Sequence, residues 1–230
     1  MTDLDRPIRA VLYDFDGTLA DTTELVLQCY RHTMGLHLGK VPPDEQWLCG
    51  FGRPLPEQLL RFARDETQRD AMLETYMRYQ EERYAGSLRP FPRAVETVAE
   101  LESQGVALAI VTSRHQRSTL LGLDLCGLTR HFGVIVTPAD ARRAKPFPDP
   151  VLVALERLGV AAAEAVFVGD SPHDMAAGRA AGTHTAAALW GPVPRADLEA
   201  QQPDFFLREP TDVLALVGAG AERRRGEPAA

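Results

Sequence analysis

Five short runs of apolar residues, rich in β-branched side chains, recur along the chain and alternate with helical patterns. Continuous apolar runs of this length are typical of strands that are buried on both faces, with helices as the connections between them. The pattern therefore predicts an α/β fold built on an open parallel sheet. The predicted strands lie at 8–15, 106–112, 132–137, 165–170 and 183–189.

The interval between the first and second runs has a different pattern. From about residue 21 to 88 no strand-like run occurs, and apolar positions recur with helical spacing that is interrupted at GKVPPDEQ and CGFGRP. We therefore expect an all-helical domain, residues 21–88, inserted into an α/β core formed by residues 1–20 and 89–218. Residues 219–230 have little apolar content, which predicts a disordered tail.

Composition narrows the classes of partner and location. The 25 basic and 32 acidic side chains give a formal charge of −7, which argues against nucleic acid as a partner. Cys29, Cys49 and Cys126 are far apart and form no C-x-x-C pair, so reduced thiols are expected rather than disulfides or a zinc site. The N-terminus lacks the basic region of a signal peptide, and no apolar stretch reaches the roughly 20 residues of a membrane span. We expect a cytoplasmic protein that binds no membrane.

Polar side chains follow four of the predicted strands. In a parallel α/β sheet ligands bind outside the carboxyl ends of the strands, so these positions are the candidates for a site. Asp14 and Asp16 end the first run, Thr112-Ser113-Arg114 ends the second, and Asp170 to Asp174 follow the fourth. Lys145 comes after the third run, in the proline-rich loop AKPFPDP, which we expect to be stiff.

The carboxylates predict a metal site. Asp14 and Asp16 are two residues apart and so can face the same pocket, where one could attack a substrate while the other handles a proton. Asp170 and Asp174 add further negative charge, and four carboxylates in one cleft repel one another unless a cation lies between them. Mg²⁺ takes one or two carboxylates and fills its remaining positions with water and substrate phosphate.

Lys145 and Thr112 supply donors that suit a phosphate group. Lys40 and Lys145 are the only lysines among 25 basic residues, so a site that needs a compact positive charge is a reasonable explanation for Lys145. Together with the carboxylates, these donors favour phosphoryl transfer through an aspartyl-phosphate. The alternative of a calcium-binding EF-hand fails, because Gly17 is the fourth position of a loop that starts at Asp14, where an EF-hand has its glycine at the sixth, and because a strand precedes it.

Four motifs in this order, DFDGTLADT, IVTSR, AKPFPDP and VFVGDSPHD, resemble those of the haloacid dehalogenase superfamily of phosphotransferases. The resemblance covers residues 8–190 and implies a Rossmann-like core with a helical cap inserted after the first strand. It implies Asp14 as the nucleophile and Asp16 as the general acid and base. Mg²⁺ would be bound by Asp14, the backbone carbonyl of Asp16 and Asp170. Asp174 would be either a further ligand or an acid that contacts the ligands and not the metal.

The same resemblance implies roles around the phosphate. Thr112 and Lys145 would hold the transferring phosphoryl group, with Lys145 also paired to the nucleophile. The substrate-binding residues would be Thr18, which would steady Asp16, and Arg53, Ser113 and Arg114. Arg53 lies in the loop LCGFGRP between cap helices, where a guanidinium could clamp an anionic group. His115 and His173 lie beside motifs without requiring a function.

The choice among members of the superfamily favours a phosphatase. Asp16 argues for phosphate over halide, Arg53 cannot form the Schiff base of a phosphonatase, and TTELVLQCY lacks the histidine of β-phosphoglucomutases. The motifs are most similar to those of phosphoglycolate phosphatases and related pyrophosphatases, so a small anionic phosphorylated metabolite is expected, with 2-phosphoglycolate first. The alternatives are a pyrophosphatase, a sugar-phosphate phosphatase or mutase-like phosphotransferase, and a phosphate-binding regulator without turnover. A monomer or a homodimer is expected.

Overall fold

The computed structural model of the chain describes residues 6–217, so the tail predicted at 219–230 lies outside the described residues. Within them the chain forms eight strands: β1 (Ala10–Tyr13), β2 (Ala20–Asp21), β3 (Arg89–Pro90), β4 (Ala107–Val111), β5 (Val134–Val136), β6 (Ala165–Gly169), β7 (His184–Ala188) and β8 (Phe205–Leu207). Six of them form one parallel sheet in the order β5-β4-β1-β6-β7-β8. The predicted α/β fold with a parallel sheet is confirmed.

The sixth strand of the sheet, β8, was missing from the prediction. Its apolar stretch, Phe205–Leu207, is only three residues long, and such a short run has no clear periodicity. The other five strands of the sheet lie inside their predicted runs and are shorter, because the ends of those runs belong to the loops that carry the polar residues.

β1 is central to the sheet, hydrogen-bonded to β4 on one side and β6 on the other. Alternate residues of β1 enter different cores: Leu12 packs in one cluster with side chains of β6 and of a later helix, and Val11 in the other. Burial on both faces explains why these strands read as continuous apolar runs. It also makes the tip of β1 a rigid position.

Nine α-helices occur within the described residues. They are α1 (Thr23–Leu38), α2 (Asp44–Leu48), α3 (Leu55–Leu60), α4 (Glu66–Ser87), α5 (Ala94–Ser103), α6 (Gln116–Leu125), α7 (Asp149–Leu158), α8 (Pro172–Ala181) and α9 (Arg195–Glu199). Buried residues of α5 and α6 belong to the Val11 cluster and those of α7 to the Leu12 cluster, so helices cover both faces of the sheet. None of the described helices is long and apolar enough to cross a membrane.

Helices α1 to α4, here called the cap helices, lie between β2 and β3, which pair antiparallel where the chain leaves and re-enters the α/β part. Gly39 ends α1 in the left-handed conformation (φ 67°), and the side chain of Asp65 accepts a hydrogen bond from Gln68 N at the start of α4. The aromatic rings of Tyr30 and Trp47 stack with centroids 4.8 Å apart. The helices occupy the predicted interval 21–88, and its treatment as a separate domain stays a prediction.

Candidate active site

The turn after β1 brings the first carboxylate to the carboxyl edge of the sheet. Asp14 is buried, its backbone N–H donates to Val168 O on β6 (2.9 Å), and its Oδ1 accepts from Phe15 N (2.7 Å). Gly17 follows with φ 76°, a conformation that residues with a Cβ rarely adopt. A Cβ on Gly17 would also overlap Oδ2 of Asp170. The glycine therefore lets the chain turn and lets the two carboxylates approach each other.

The second pair of carboxylates lies where β6 meets α8, with Asp170 directly after the strand and Asp174 in the first turn of the helix. Ser171 caps α8 reciprocally: Asp174 Oδ2 accepts from Ser171 N (3.0 Å) and from Ser171 Oγ (2.5 Å), while Asp174 N donates to Ser171 Oγ. Asp170 and Asp174 are fully buried. Oxygens of Asp14, Asp170 and Asp174 lie within 4.8 Å of one another. Three of the four carboxylates expected from the sequence therefore meet in one place.

Lys145 lies beside these carboxylates, in the loop between β5 and α7. Its Nζ is 3.1 Å from Asp14 Oδ1, donates to Asp174 Oδ1 at 2.6 Å and donates to the carbonyl of Val111 at 3.1 Å. The side chain is buried. Burial opposes the charge of Lys145, but the neighbouring carboxylates of Asp14 and Asp174 outweigh it and raise the pKa of the amine above its ordinary value. The lysine is held as a cation by its two acidic neighbours.

The carboxylates themselves are left short of positive charge. Burial is the main cause that raises the pKa of Asp14 to about 7; Lys145 opposes it, and Asp174 adds to it. Burial likewise raises the pKa of Asp170 well above its usual range, followed by the charges of Asp174 and Asp14. Oδ1 of Asp170 accepts from the Thr18 hydroxyl (3.0 Å), but its buried Oδ2 has no hydrogen-bond partner among the described residues. An orphaned carboxylate oxygen within a group of three acids fits a divalent cation.

Arg114, expected to bind substrate, forms an ion pair with Asp16. Its Nε and one terminal nitrogen donate to the two oxygens of Asp16 at 2.8 and 2.5 Å, and the other terminal nitrogen donates to the hydroxyl of Tyr84 on α4 (2.8 Å). The Tyr84 hydroxyl in turn donates to Ser118 O (2.7 Å). Although Arg114 touches the cavity described below, its planar donor group is occupied by Asp16 and Tyr84.

Three other predicted residues have contacts that the sequence did not indicate. The Thr18 hydroxyl contacts Asp170 rather than Asp16, because the turn at Gly17 directs it beneath the end of β6. The hydroxyl of Thr112 accepts from the backbone N–H of Arg114 (3.1 Å), and Thr112 lines the cavity. The hydroxyl of Ser113 donates to the carbonyl of Gly52 (2.7 Å), which belongs to the loop between α2 and α3.

A cavity of about 350 Å³ lies between the cap helices and the carboxyl edge of the sheet. Its polar floor includes Asp14, Asp16 and Thr112, and Arg53 lines it although that residue is exposed. The remaining lining residues are Val26, Trp47, Gly50, Phe51, Gly52, Pro54, Leu55, Pro56, Gln58, Leu73, Tyr76, Met77, Gln80, Ser113, Arg114, His115, Ser118 and Pro138. His115 thus reaches the cavity, and His173 is not among its lining residues.

The residues of α4 were missed in the sequence. Leu73, Met77 and Gln80 are spaced three and four apart, which puts them on one face of α4, and all three line the cavity. A face with this spacing also results when a helix packs on a core, so spacing alone does not distinguish a cavity wall from a core face. Tyr84 was missed for the same reason, and only its contact with Arg114 reveals it.

Comparison with known proteins agrees with this architecture. Residues 11–188 match the family model described as haloacid dehalogenase-like hydrolase. Pyrophosphatase PpaX of Bacillus pumilus is 37% identical over 212 residues, which are 92% of this chain and 97% of that protein. The haloacid dehalogenase-like family protein SP0104 of Streptococcus pneumoniae superposes with a TM-score of 0.78 at 27% identity, covering 90% of this chain and 97% of that chain.

A crystal structure from Haemophilus somnus, described as a predicted phosphoglycolate phosphatase, superposes with a TM-score of 0.81 at 21% identity, over 91% of this chain and 97% of that chain. At that identity the likeness concerns the fold alone. The family model and the 37% identical relative each span most of the chain. The chain belongs to the haloacid dehalogenase-like hydrolase family.

Proposed function

We propose that the chain is a Mg²⁺-dependent phosphatase that hydrolyses a small phosphorylated compound through an aspartyl-phosphate on Asp14. The observation that carries the proposal is the buried group of Asp14, Lys145, Asp170 and Asp174, in which one carboxylate oxygen has no partner among the described residues. A structural ion pair needs one lysine and one acid, whereas here three acids lie together and two of them contact one amine. The excess negative charge supports a site for a metal ion and a phosphoryl group.

We assign the metal ligands as Asp14, Asp170 and the backbone carbonyl of Asp16. Asp174 has both oxygens occupied, by Lys145 and by Ser171, so its role in the proposal is to hold Lys145 against Asp14. When bound, Mg²⁺ would screen the charge between the nucleophile and the phosphate oxygens. Lys145 and the Thr112 hydroxyl would bind the transferring phosphoryl group from the protein side.

In the first half of the reaction an oxygen of Asp14 attacks phosphorus, the bond between phosphorus and the leaving oxygen breaks, and the leaving oxygen takes a proton from Asp16. Phe15 N and Lys145 Nζ both contact Oδ1 of Asp14, so the carboxylate is oriented before the substrate arrives. Asp16 must turn from Arg114 towards the substrate to give its proton. Asp16 enters this half of the reaction protonated, and its contacts with Arg114 at 2.5 and 2.8 Å must break first.

In the second half a water molecule attacks phosphorus and the bond to the Asp14 oxygen breaks. Asp16 takes a proton from that water, inorganic phosphate leaves, and both carboxyl groups return to their starting states. The contact of Ser113 with Gly52 keeps the loop between α2 and α3 against the sheet edge, which limits the entry of other water molecules.

Two compounds are the first candidates to be tested as substrates. The resemblance of the motifs favours 2-phosphoglycolate, and the name of the 37% identical relative favours pyrophosphate. Both are small anions, and Arg53 is the cavity residue whose guanidinium has no carboxylate within ion-pair distance among the described residues. A mutase remains the second candidate, since sugar phosphates belong to the same panel.

The experiment measures release of inorganic phosphate from 2-phosphoglycolate, pyrophosphate, sugar phosphates and nucleotides, with Mg²⁺ and with a chelator. We expect Mg²⁺-dependent release that is lost in Asp14→Asn and retained in Asp124→Asn, an exposed carboxylate on α6. Phosphate released in equal amount to the substrate consumed would exclude the mutase. Mg²⁺-independent release, or full activity of Asp14→Asn, would contradict the proposal, and no release from any compound would favour the phosphate-binding regulator.

A further inference from the structure

The cavity above Asp14 has two unlike halves. Its floor is polar, whereas the walls that come from the cap helices and their loops are mostly apolar: Val26, Trp47, Phe51, Leu55, Leu73, Tyr76 and Met77. A volume of about 350 Å³ is within the range of sites that bind small organic molecules, which are lined mainly by apolar and aromatic side chains. A phosphate group on the floor would leave the space between these walls to the rest of the substrate.

Charges in the cavity do not suit a second strongly anionic group. Two arginines and no lysine line it within the part of the chain that the structure describes, and the guanidinium of Arg114 is occupied by both oxygens of Asp16. Arg53 is exposed, so the cation that remains is in contact with solvent. A charged group placed between Trp47 and Leu73 would lose its hydration without gaining a partner, which is costly. Pyrophosphate and 2-phosphoglycolate both have charge at the end away from the reacting phosphorus.

One polar side chain in the apolar half has its hydrogen-bonding groups free. Gln80 is 6% exposed, lines the cavity, and its amide makes no hydrogen bond to another described residue. Gln58, also on the cavity wall, differs: its amide donates to Trp47 O (2.6 Å) and accepts from Arg61 (2.9 Å). The amide of Gln80 is therefore available for hydrogen bonds with a polar group of a ligand in the cavity.

The apolar half of the cavity also opens into an adjoining cleft. Met77, Gln80, His115 and Ser118 line both the cavity and an adjoining cleft between α4 and α6, whose outer residues include Leu121. The two spaces therefore meet at Gln80. An alcohol formed at the floor could leave along this route without crossing the carboxylates.

We propose, as an extension of the phosphatase function above, that the substrate is a phosphate monoester of an uncharged alcohol. Its carbon body is about the size of one ring, and a polar group at its far end exchanges hydrogen bonds with Gln80. The phosphorus–oxygen ester bond breaks, the alcohol oxygen takes the proton of Asp16, and the phosphoryl group passes to Asp14 and then to water. The ring packs between the walls formed by Trp47 and Leu73.

Ethyl phosphate and benzyl phosphate test the carbon body, because both are esters of primary alcohols with similar leaving-group acidity. We expect kcat/KM for benzyl phosphate to exceed that for ethyl phosphate by at least about tenfold, since an added methylene alone is worth about tenfold or more in a fitted apolar pocket. It should also exceed the values for pyrophosphate and 2-phosphoglycolate. Leu73→Phe, which narrows the apolar half, should reduce the benzyl-to-ethyl ratio. The matched control is Leu60→Phe, on the exposed side of α3, which should keep that ratio.

Benzyl phosphate with a hydroxymethyl group at ring position 4 tests Gln80. We expect it to have a higher kcat/KM than benzyl phosphate in the wild-type enzyme, and we expect that advantage to disappear in Gln80→Leu. Gln104→Leu, an exposed glutamine after α5, is the control that should retain it. Persistence of the advantage in Gln80→Leu would overturn the role of Gln80.

Two outcomes separate this inference from the phosphatase function. If pyrophosphate or 2-phosphoglycolate is hydrolysed better than benzyl phosphate, in a reaction that needs Mg²⁺ and Asp14, the phosphatase function stands and the organic leaving group is wrong. Equal rates for ethyl and benzyl phosphate would likewise leave the phosphatase function standing and contradict the proposed organic leaving group. Failure to release phosphate from any compound in the panel would overturn both.

Discussion

Lys145 is the residue on which the charge balance of the site depends. Its buried amine contacts Asp14, Asp174 and the carbonyl of Val111 within 3.1 Å. We expect Lys145→Arg to reduce kcat by at least about 100-fold although the charge is kept, because a planar guanidinium cannot replace a compact ammonium there. Lys40→Arg is the matched control, since Lys40 is the other lysine of the chain and is exposed. Wild-type rates for Lys145→Arg would show that any cation is sufficient.

Arg114 joins the proposed acid and base to the cap helices. Arg114→Lys replaces a guanidinium that makes a bidentate contact with Asp16 and a hydrogen bond to Tyr84 by a single ammonium group. Because hydrogen bonds to charged groups contribute about 1.5–3 kcal/mol, we expect kcat to decrease by about tenfold and the free energy of unfolding to decrease as well. Steady-state kinetics and urea unfolding measure the two effects. Arg117→Lys, on the exposed surface of α6, should change neither.

Residues at the ends of strands were within reach of sequence reasoning, and residues in the middle of helices were not. Asp14, Asp170 and Lys145 could be anticipated to lie together, because the carboxyl ends of parallel strands meet at one edge. The pairing of Arg114 with Asp16 could not, since it depends on a side-chain direction that no spacing encodes. Gln80 has no local signal, as a polar residue on a long helix is ordinarily solvated.

Among the structural elements, the turn after β1 imposes the strictest requirement. Gly17→Ala would combine a left-handed backbone with a side chain that overlaps Asp170, whereas Gly39→Ala, at φ 67°, would have the backbone conformation without a neighbour within 4 Å. A non-glycine residue in this conformation costs about 1–2 kcal/mol. We expect Gly39→Ala to lose about that much stability and to keep its activity.

Gly17→Ala should lose more stability than Gly39→Ala and should also lose activity. Urea unfolding and phosphate release, measured on both variants, check the comparison. Equal losses of stability with activity intact would mean that Asp170 can move away without consequence for the site.

Elements differ in how well the sequence predicted them. Five strands were found because burial on both faces leaves long apolar runs, and the cap helices were found because apolar spacing of three and four persists across α1 and α4. β8 was missed because its apolar run is only three residues long, whereas β5, also a three-residue edge strand, lies within the longer run 132–137. The position of β8 is set by pairing with β7, which is a long-range contact.

At the scale of the whole molecule, the excess of buried carboxylate predicts that metal binding stabilises the fold. Saturating Mg²⁺ should raise Tm by about 5–10 °C over the chelated protein, because a ligand at about 100 times its Kd contributes about 2.7 kcal/mol and each kcal/mol shifts Tm by about 2–4 °C in a chain of this size. Differential scanning calorimetry without substrate measures this shift. Asp170→Asn should reduce it, and Asp124→Asn should not. An unchanged shift in Asp170→Asn would place the metal elsewhere.

The cytoplasmic location and the oligomeric state, a monomer or a homodimer, stay predictions.

The position of β1 in the sheet has a consequence for how the protein is made. Ala10 pairs with Ala107 on one side and with Ala165 on the other, so β1 is synthesised before either of the strands that flank it. Contacts so distant in sequence form slowly, and an apolar strand with open edges is prone to aggregate meanwhile. A nascent chain that stops before residue 165 would present Asp14 on a strand with one bare edge. Asp14 is synthesised before the strands that flank β1, and it reaches its place only after both of them have paired.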